Sequence, residues 1–474
     1  MAWRGQYRAA FGQRYELPIP LVLFVLGGAL VVFLSFLLVA PRQVRAREEA
    51  PAEDGVPPGR TNPFGGPVGV LLLAGLIYAG IVGSQEVPEN ILPTAFWLVL
   101  WIAVPLSCGL LGDWTRFVNP YATLARLTDS DRARTILLGS PARIGWPRWL
   151  GWWPAVATFF FVACGELVYN LTATLPRVTA YGLLAGAAVS MAMGLLFGAE
   201  AWLSKGEMFS VLFNTWGRLG YFRFGAPGRR RFIGGLDAGF AAEPSRLVFV
   251  LMLLVSVSFD GLISTPAWKG MHQHFVTATG GSSYGIDTLT MLTFLLLALV
   301  TLAAFAAFSV AVSRAGGRHE GPACALAGLL PSLLPIAFGY LLAHNLEYLI
   351  VNGQLLIPLA GNPVGLPGWQ WLPAPFNDSY EIHSKLLPSA FYWYLAVAVI
   401  ITVHVIAVVI AHRHLATATT VTHHARRSEY PWLVAMVAYT MLSLWLIAQP
   451  LVKEKAATTP TKTAASQHHQ IVRA

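Results

Sequence analysis

The sequence predicts an all-α integral membrane protein, a polytopic bundle of about ten transmembrane helices. Three observations support this prediction: 55% of the 474 residues are hydrophobic, only 12% are charged, and the apolar residues gather in long runs. Globular domains carry roughly 25% charged residues. The composition therefore excludes a disordered protein, a basic nucleic-acid-binding tail protein and an ordinary soluble enzyme.

Ten apolar runs are expected to cross the membrane within one domain, residues 1–450, because a crossing helix needs about 20 apolar residues. They lie at 19–40, 64–84, 91–112, 152–172, 179–203, 246–264, 288–312, 322–358, 389–411 and 431–449. The first run is too long for a signal peptide and is expected to stay as a helix. The eighth is too long for one straight crossing, and Pro331 and Pro335 are expected to break it, giving either a re-entrant piece plus a helix or one kinked helix.

The Lys and Arg residues indicate the orientation of the chain. Of these 32 residues, 22 fall on one side, whereas the internal loops of the other side hold only Arg177, Lys269 and Lys385. Basic loops stay in the cytoplasm, so the sequence predicts a multi-pass protein of the bacterial inner membrane with both termini outside. The expected partners are the lipid bilayer and membrane subunits, and the net charge of +9 indicates contact with anionic headgroups rather than with nucleic acid. The polar tail, 451–474, is predicted to be disordered.

Two cytoplasmic loops contain amphipathic stretches that are predicted to form interfacial helices. In the second loop the apolar residues recur at helical spacing: Met208, Phe209, Leu212, Phe213, Trp216 and Leu219. The first loop, from Asp113 to Leu127, has four residues that recur 92 positions later, namely Phe117, Thr123, Arg126 and Leu127. The similarity is either chance or a parallel internal repeat, of the kind that transporters often contain.

Ionisable residues inside the spans are the candidate functional residues, because a charge in the hydrocarbon layer costs several kcal/mol. In the eighth span, His344, Glu347, Tyr348 and Gln354 fall on one helical face. His344 and Glu347 are three residues apart, so their side chains can meet and share a proton or a ligand. The alternative is a neutral His344 bonded to a neighbouring helix, with Glu347 in the headgroup layer.

Two carboxylates form a second candidate site. Asp260 in the sixth span and Glu166 at a similar depth in the fourth are expected to share a proton or receive a cation. The sequence favours an alternative in which Asp260 caps the helix end at Gly261. Glu200, near a cytoplasmic helix end, is expected to reach the interface.

All three cysteines are expected to be buried free thiols: Cys108, Cys164 and Cys324.

Histidines are the candidate metal ligands. His404 would either face His344 across a helix pair and bind haem or copper, or form a hydrogen bond to a neighbouring helix. His412 is a weaker candidate and is expected to reach the interface. His272 and His274 form an H-x-H pair in an exposed loop, a spacing that brings two ligands to one side of a strand around a divalent metal.

The last third of the chain resembles a known family. The run Leu342-Ala343-His344, the residues from Gly353 to Ile357, Asn362-Pro363, and later His404 and Ala411-His412 are similar to the bacterial membrane-protein family named fenitrothion hydrolase. Residues 340–449 carry most of the similarity. The family name implies hydrolysis of an organophosphate triester at a membrane site, a reaction that usually needs one or two metals with several His and carboxylate ligands. The resemblance assigns no catalytic residue.

The sequence favours a transporter or permease-like protein in which His344, Glu347, Asp260 and Glu166 form a proton or cation path. A membrane-bound phosphotriester hydrolase is the second interpretation. A haem- or copper-binding electron-transfer or assembly subunit is the third.

Overall fold

A computed structural model of the chain describes residues 21–39, 63–224, 232–278, 283–418 and 422–448. These residues form helices and connecting loops, and no β-strand occurs among them, which confirms the all-α class. Seven of the described helices are long and apolar enough to cross a membrane, and two further apolar helices are shorter. The structure therefore supports a membrane helix bundle but not a count of ten spans. The predicted disordered tail lies outside the described residues.

In the first half of the chain, the described residues form three long apolar helices, two shorter apolar helices and four short helices. They are α1 (Leu21–Val39), α2 (Gly65–Val82), α3 (Ile91–Leu111), α4 (Pro120–Thr128), α5 (Asp131–Leu138), α6 (Trp153–Leu167), α7 (Pro176–Phe197), α8 (Ala199–Lys205) and α9 (Met208–Gly217). A single helical turn, Asn170–Ala173, connects α6 to α7.

In the second half, six α-helices occur among the residues that the structure describes. They are α10 (Pro244–Ile263), α11 (Pro266–Ala278), α12 (Ser283–Ala315), α13 (Pro322–Gly361), α14 (Ser389–Ala418) and α15 (Thr422–Ala448). Proline is the first residue of α4, α7, α10 and α13, where its fixed φ suits a helix start and its missing N–H costs nothing.

The outer surface of the bundle is apolar. On α12, Leu296 and Leu299 are 59% and 55% exposed, and on α2, Leu71 is 72% exposed. Soluble proteins rarely leave such continuous apolar faces uncovered. The bundle is therefore suited to a lipid environment.

Two long helices depart from regular α geometry near the centre of the bundle. The predicted break in α13 is confirmed at Pro331, because a 3₁₀ turn at Leu330–Ser332 contains this residue. Pro335 does not break the helix, since it lies within the regular segment Leu333–Asn352. In α3, Thr94–Ala103 forms a π-helix, in which each turn holds more residues. No pattern in the sequence predicts this segment.

The second amphipathic stretch, α9, does not lie on the surface of the bundle, so the prediction of an interfacial helix is wrong there. In the first stretch Tyr121 and Ala125 are buried, whereas Leu127 is 71% exposed. In α9, Phe209, Leu212 and Trp216 are all less than 8% exposed, and the helix packs against α3 and α6. Protein, rather than headgroups, therefore surrounds the apolar face of this helix.

The start of α9 is joined to the start of α4. Asn119 caps α4 and donates a hydrogen bond from Nδ2 to Ser210 Oγ at 2.9 Å. Glu207 caps α9 by accepting from the amides of Phe209 and Ser210. In the predicted repeat register, however, the first residue of α9 would correspond to Arg116, which precedes α4. The two helices therefore start at different places in the proposed repeat.

Two of the three cysteines are buried as predicted, Cys108 in α3 and Cys164 in α6. Cys324 is exposed, which corrects the prediction for that residue. It lies in the first turn of α13, where few neighbouring helices cover the side chain.

Candidate functional site

A cavity of about 50 Å³ lies between α3, α6, α9, α10 and α13. That volume accommodates a few water molecules. Most of its wall is apolar, including Trp101, Phe159, Leu212, Trp216 and Leu253. Its polar wall is formed by four residues from three helices: Glu166, Ser256, Asp260 and Asn345. Ionisable groups beside a mostly apolar cavity are typical of a functional site.

Asp260 forms an ion pair with His344 at the edge of this cavity. Asp260 Oδ2 lies 2.7 Å from His344 Nε2, and the side chains are 28% and 21% exposed. The pair joins α10 to α13. Because α10 continues regularly to Ile263, the carboxylate of Asp260 is free to point toward α13 rather than to the helix end. The interpretation of Asp260 as a helix cap is therefore wrong.

Glu166 is the third ionisable member of the cluster. Its Oε2 accepts a hydrogen bond from Trp101 Nε1 at 2.5 Å, and its charge interacts with those of Asp260 and His344. Trp101 belongs to the π-helical segment of α3, whose extra residue per turn changes the direction of the side chains. Glu166 and Asp260 thus line the same cavity.

When Glu166, Asp260 and His344 are all charged, one negative charge is left without a positive partner. One imidazolium offsets only one of the two carboxylates, so the cluster keeps a negative charge unless it takes up a proton or a cation. We refer to Glu166, Asp260 and His344 below as the acidic cluster.

The remaining predicted residues of the eighth span lie elsewhere. Glu347 is exposed, and its predicted partner His344 contacts Asp260 instead. Tyr348 is half-buried. Gln354 holds the loop after α13, because its Oε1 accepts from the amide of His383 at 3.0 Å and its Nε2 donates to the His383 carbonyl. The predicted four-residue face is therefore not a single site.

The histidines have separate surroundings. His404 is buried in α14, with Nδ1 2.7 Å from the Ile400 carbonyl. His412 is also buried, and its Nδ1 lies 2.8 Å from Glu429 Oε1 of α15, so it does not reach the interface. Glu200, in contrast, is exposed as expected.

The H-x-H pair lies on a helix and not on an extended loop. His272 and His274 belong to α11, where residues two apart point in nearly opposite directions. Among the residues that the structure describes, no group of three or more His, Cys, Asp or Glu side chains converges in a way that could hold a metal ion.

Several residues near the acidic cluster were not predicted: Trp101, Ser258, Tyr340 and Tyr439. Tyr340 lies one turn before His344, and their rings are parallel with centroids 6.2 Å apart. That spacing was visible in the sequence. Tyr439 and Trp101 come from distant helices, so no local pattern could have found them.

Comparison with known proteins does not assign a function to this site. No family model matches the chain, and neither a curated protein nor a solved structure is detectably similar to it.

Proposed function

We propose that this protein is a transporter or permease-like protein of the bacterial inner membrane, in which the acidic cluster carries a proton or another cation. The observation that supports the proposal is the Asp260–His344 ion pair beside Glu166 and the cavity. A structural ion pair needs only one carboxylate. The second carboxylate, adjacent to a space for water, gives the cluster a site that loads and unloads positive charge.

The proposed orientation follows from the basic loops. Arg134 and Arg143, together with most other cations of the chain, lie in loops that we assign to the cytoplasm. Both termini then lie outside. In this orientation α10 enters from the cytoplasmic side, and Asp260, close to its last turn, lies in the outer half of the bundle.

Proton uptake into liposomes tests the proposal. The purified protein is reconstituted with a pH-sensitive dye inside the vesicles, and a potassium diffusion potential, negative inside, draws protons inward. We expect the wild-type protein to acidify the lumen. Asp260→Asn and His344→Gln should slow acidification at least about tenfold, because positioned proton-transfer groups contribute roughly 100-fold or more to such steps.

The control is Glu320→Gln, which removes a carboxylate from the surface pair with Arg318, 3.3 Å away. This variant should conduct like the wild type. Wild-type vesicles that acidify no faster than empty ones would overturn the proposal, and so would an Asp260→Asn protein with the wild-type rate.

Hydrolysis of a phosphotriester, which the family resemblance implies, has less support. Such chemistry ordinarily uses several metal ligands, and no suitable group of three or more converges among the described residues. A haem or copper site between His344 and His404 also has less support, since Nε2 of His344 is paired with Asp260 and not with a group that it shares with His404.

A further inference from the structure

Helix α5 (Asp131–Leu138) and the loop after it carry an apolar surface at one end of the bundle. The helix has eight residues and is too short to cross a membrane. Large apolar side chains nevertheless point away from the bundle and are 53–78% exposed: Leu127, Ile136, Leu137, Ile144 and Trp149. Surfaces in contact with water rarely gather so many exposed apolar side chains. A partner other than water therefore covers residues 127–149, which we call the α5 segment.

Arginines stand among these exposed apolar side chains. Arg132 and Ile136 are four residues apart on α5, so they share one exposed face of the helix. Arg148 is exposed as well and directly precedes Trp149. Arginine can lay its carbon chain along apolar surface while its charge stays among polar groups. Apolar and cationic side chains combined in this way are typical of an element that lies in a membrane interface.

Two hydrogen bonds fix the depth of the α5 segment against α7, one of the helices that are able to cross the membrane. Thr128 Oγ1 donates to the Met191 carbonyl at 2.7 Å, and the amide of Ile144 donates to the Leu196 carbonyl at 2.9 Å. Both contacts lie within the last 9 Å or so of α7, where a crossing helix passes from hydrocarbon to headgroups. Met191 is itself exposed, so the apolar outer surface of α7 continues into that of the segment.

The charge of the α5 segment suits an anionic partner. Residues 127–149 contain four arginines and two aspartates, which gives the segment a net charge of +2. Arg134 contacts both aspartates, Asp129 at 2.7 Å and Asp131 at 2.5 Å. The charges of Arg132 and Arg148, on the exposed side, are therefore in excess.

We propose that the α5 segment is an interfacial element that binds anionic lipids beside the end of α7. Its apolar side chains enter the boundary between headgroups and acyl chains, and its arginines donate hydrogen bonds to lipid phosphates. The depth against α7 and the continuity with its outer surface favour lipid over a soluble protein partner. The inference concerns a surface remote from the acidic cluster and does not depend on transport.

Fluorescence quenching tests the depth of the segment. Ile136→Cys is introduced into the Cys324→Ser protein and labelled with a fluorescent maleimide, to which the buried Cys108 and Cys164 are closed. The protein is placed in nanodiscs of phosphatidylcholine and phosphatidylglycerol, which leave both membrane faces open to solutes. Lipids with a doxyl quencher on the acyl chain should cause a loss of emission, and iodide in the buffer should not.

The control label is placed at His319→Cys, an exposed position in the polar loop before α13. This label should lose emission to iodide. Quenching of the label at position 136 by iodide, with no effect of the doxyl lipids, would overturn the proposal and leave a soluble partner as the occupant of the surface.

Binding of phosphatidylglycerol tests the role of the arginines. The full-length protein in detergent is titrated with this lipid, and native mass spectrometry gives the apparent Kd. Arg132→Gln combined with Arg148→Gln should weaken binding at least about tenfold, because each cation near an anionic lipid surface adds to the attraction. Arg143 is left unchanged, since its guanidinium contacts Asp129 at 3.1 Å and its loss would also affect the fold.

The matched control is Lys269→Gln combined with Lys385→Gln. Both lysines are exposed and belong to loops on the other side of the bundle, so this variant loses the same charge at a different place. It should bind phosphatidylglycerol like the wild type. An equal loss of affinity in the two combined variants, or wild-type affinity in the arginine variant, would show that the α5 segment is not a lipid-binding element.

Discussion

Asp129 shows how one side chain connects three segments at an end of the bundle. Its Oδ1 lies 2.7 Å from Arg134 and 3.1 Å from Arg143, and its Oδ2 accepts from the Ala199 amide at 2.9 Å. The residue directly follows α4, and Ala199 begins α8. The carboxylate therefore joins the end of α4 to α5, to α8 and to the loop of Arg143.

Stability should depend on the charge of Asp129. Burial by itself would raise the pKa of this carboxyl, but the Ala199 amide and the two guanidinium groups outweigh burial and hold the pKa below its usual range. The stabilisation is then present above the unfolded pKa, roughly 3.9, and is lost as the pH falls through the lower folded value. Asp129→Asn should lower the melting temperature in detergent at pH 7. The difference in melting temperature between this variant and the wild type should become smaller below about pH 4.

The control for this prediction is Asp131→Asn. Asp131 also contacts Arg134, but its side chain is 80% exposed, so water screens the interaction. The Asp131→Asn protein should melt close to the wild type at pH 7. A melting difference for Asp129→Asn that stays constant from pH 7 to pH 3 would contradict the assignment.

At the scale of elements, close contacts between short and long helices hold the interior together. Gly194 of α7 lies against α4, where an added Cβ would be 2.2 Å from the Ala125 carbonyl oxygen. Backbone cannot move aside as a flexible side chain can. Gly194→Ala should therefore push α4 away from α7 and destabilise the protein by about 1–3 kcal/mol, the usual cost of overpacking.

The same helix supplies the matched control. Gly182 of α7 has nothing within 4 Å of an added Cβ. Gly182→Ala should leave stability unchanged or raise it by up to about 1 kcal/mol, because alanine favours the helix over glycine. Thermal unfolding of both variants in one detergent gives the comparison. Equal melting temperatures for the two would show that α4 and α7 are not in close contact.

At the scale of the whole molecule, the orientation can be read from a native cysteine. Cys324 is exposed, whereas Cys108 and Cys164 are buried. Cys324 begins α13 soon after Arg314 and Arg318, so the proposed orientation places it at the cytoplasmic side. A membrane-impermeant maleimide should label inside-out vesicles and not right-side-out vesicles. Cys324→Ser should abolish the labelling, and modification from the outside would reverse the orientation.

The sequence by itself determined the helical class, the approximate positions of the long apolar helices, the break at Pro331 and which ionisable residues lie in apolar helices. These properties depend on local composition and periodicity, which a single segment carries. Only the packing of the helices decided the partners. Spacing allowed His344 to meet Glu347, yet such a pair on an open helix face contributes only about 0.2–0.5 kcal/mol. His344 pairs instead with Asp260 of α10, 2.7 Å away in a more enclosed position.

Packing likewise decided the place of α9 and of His412. The amphipathic pattern of α9 suits both a lipid surface and a protein interior, and only the neighbouring helices show that it is buried. Glu429, the partner of His412, lies on another helix, so no spacing along α14 predicts it. Periodicity describes the faces of one helix, whereas the contacts between helices depend on their rotation and depth, which the tertiary structure alone fixes.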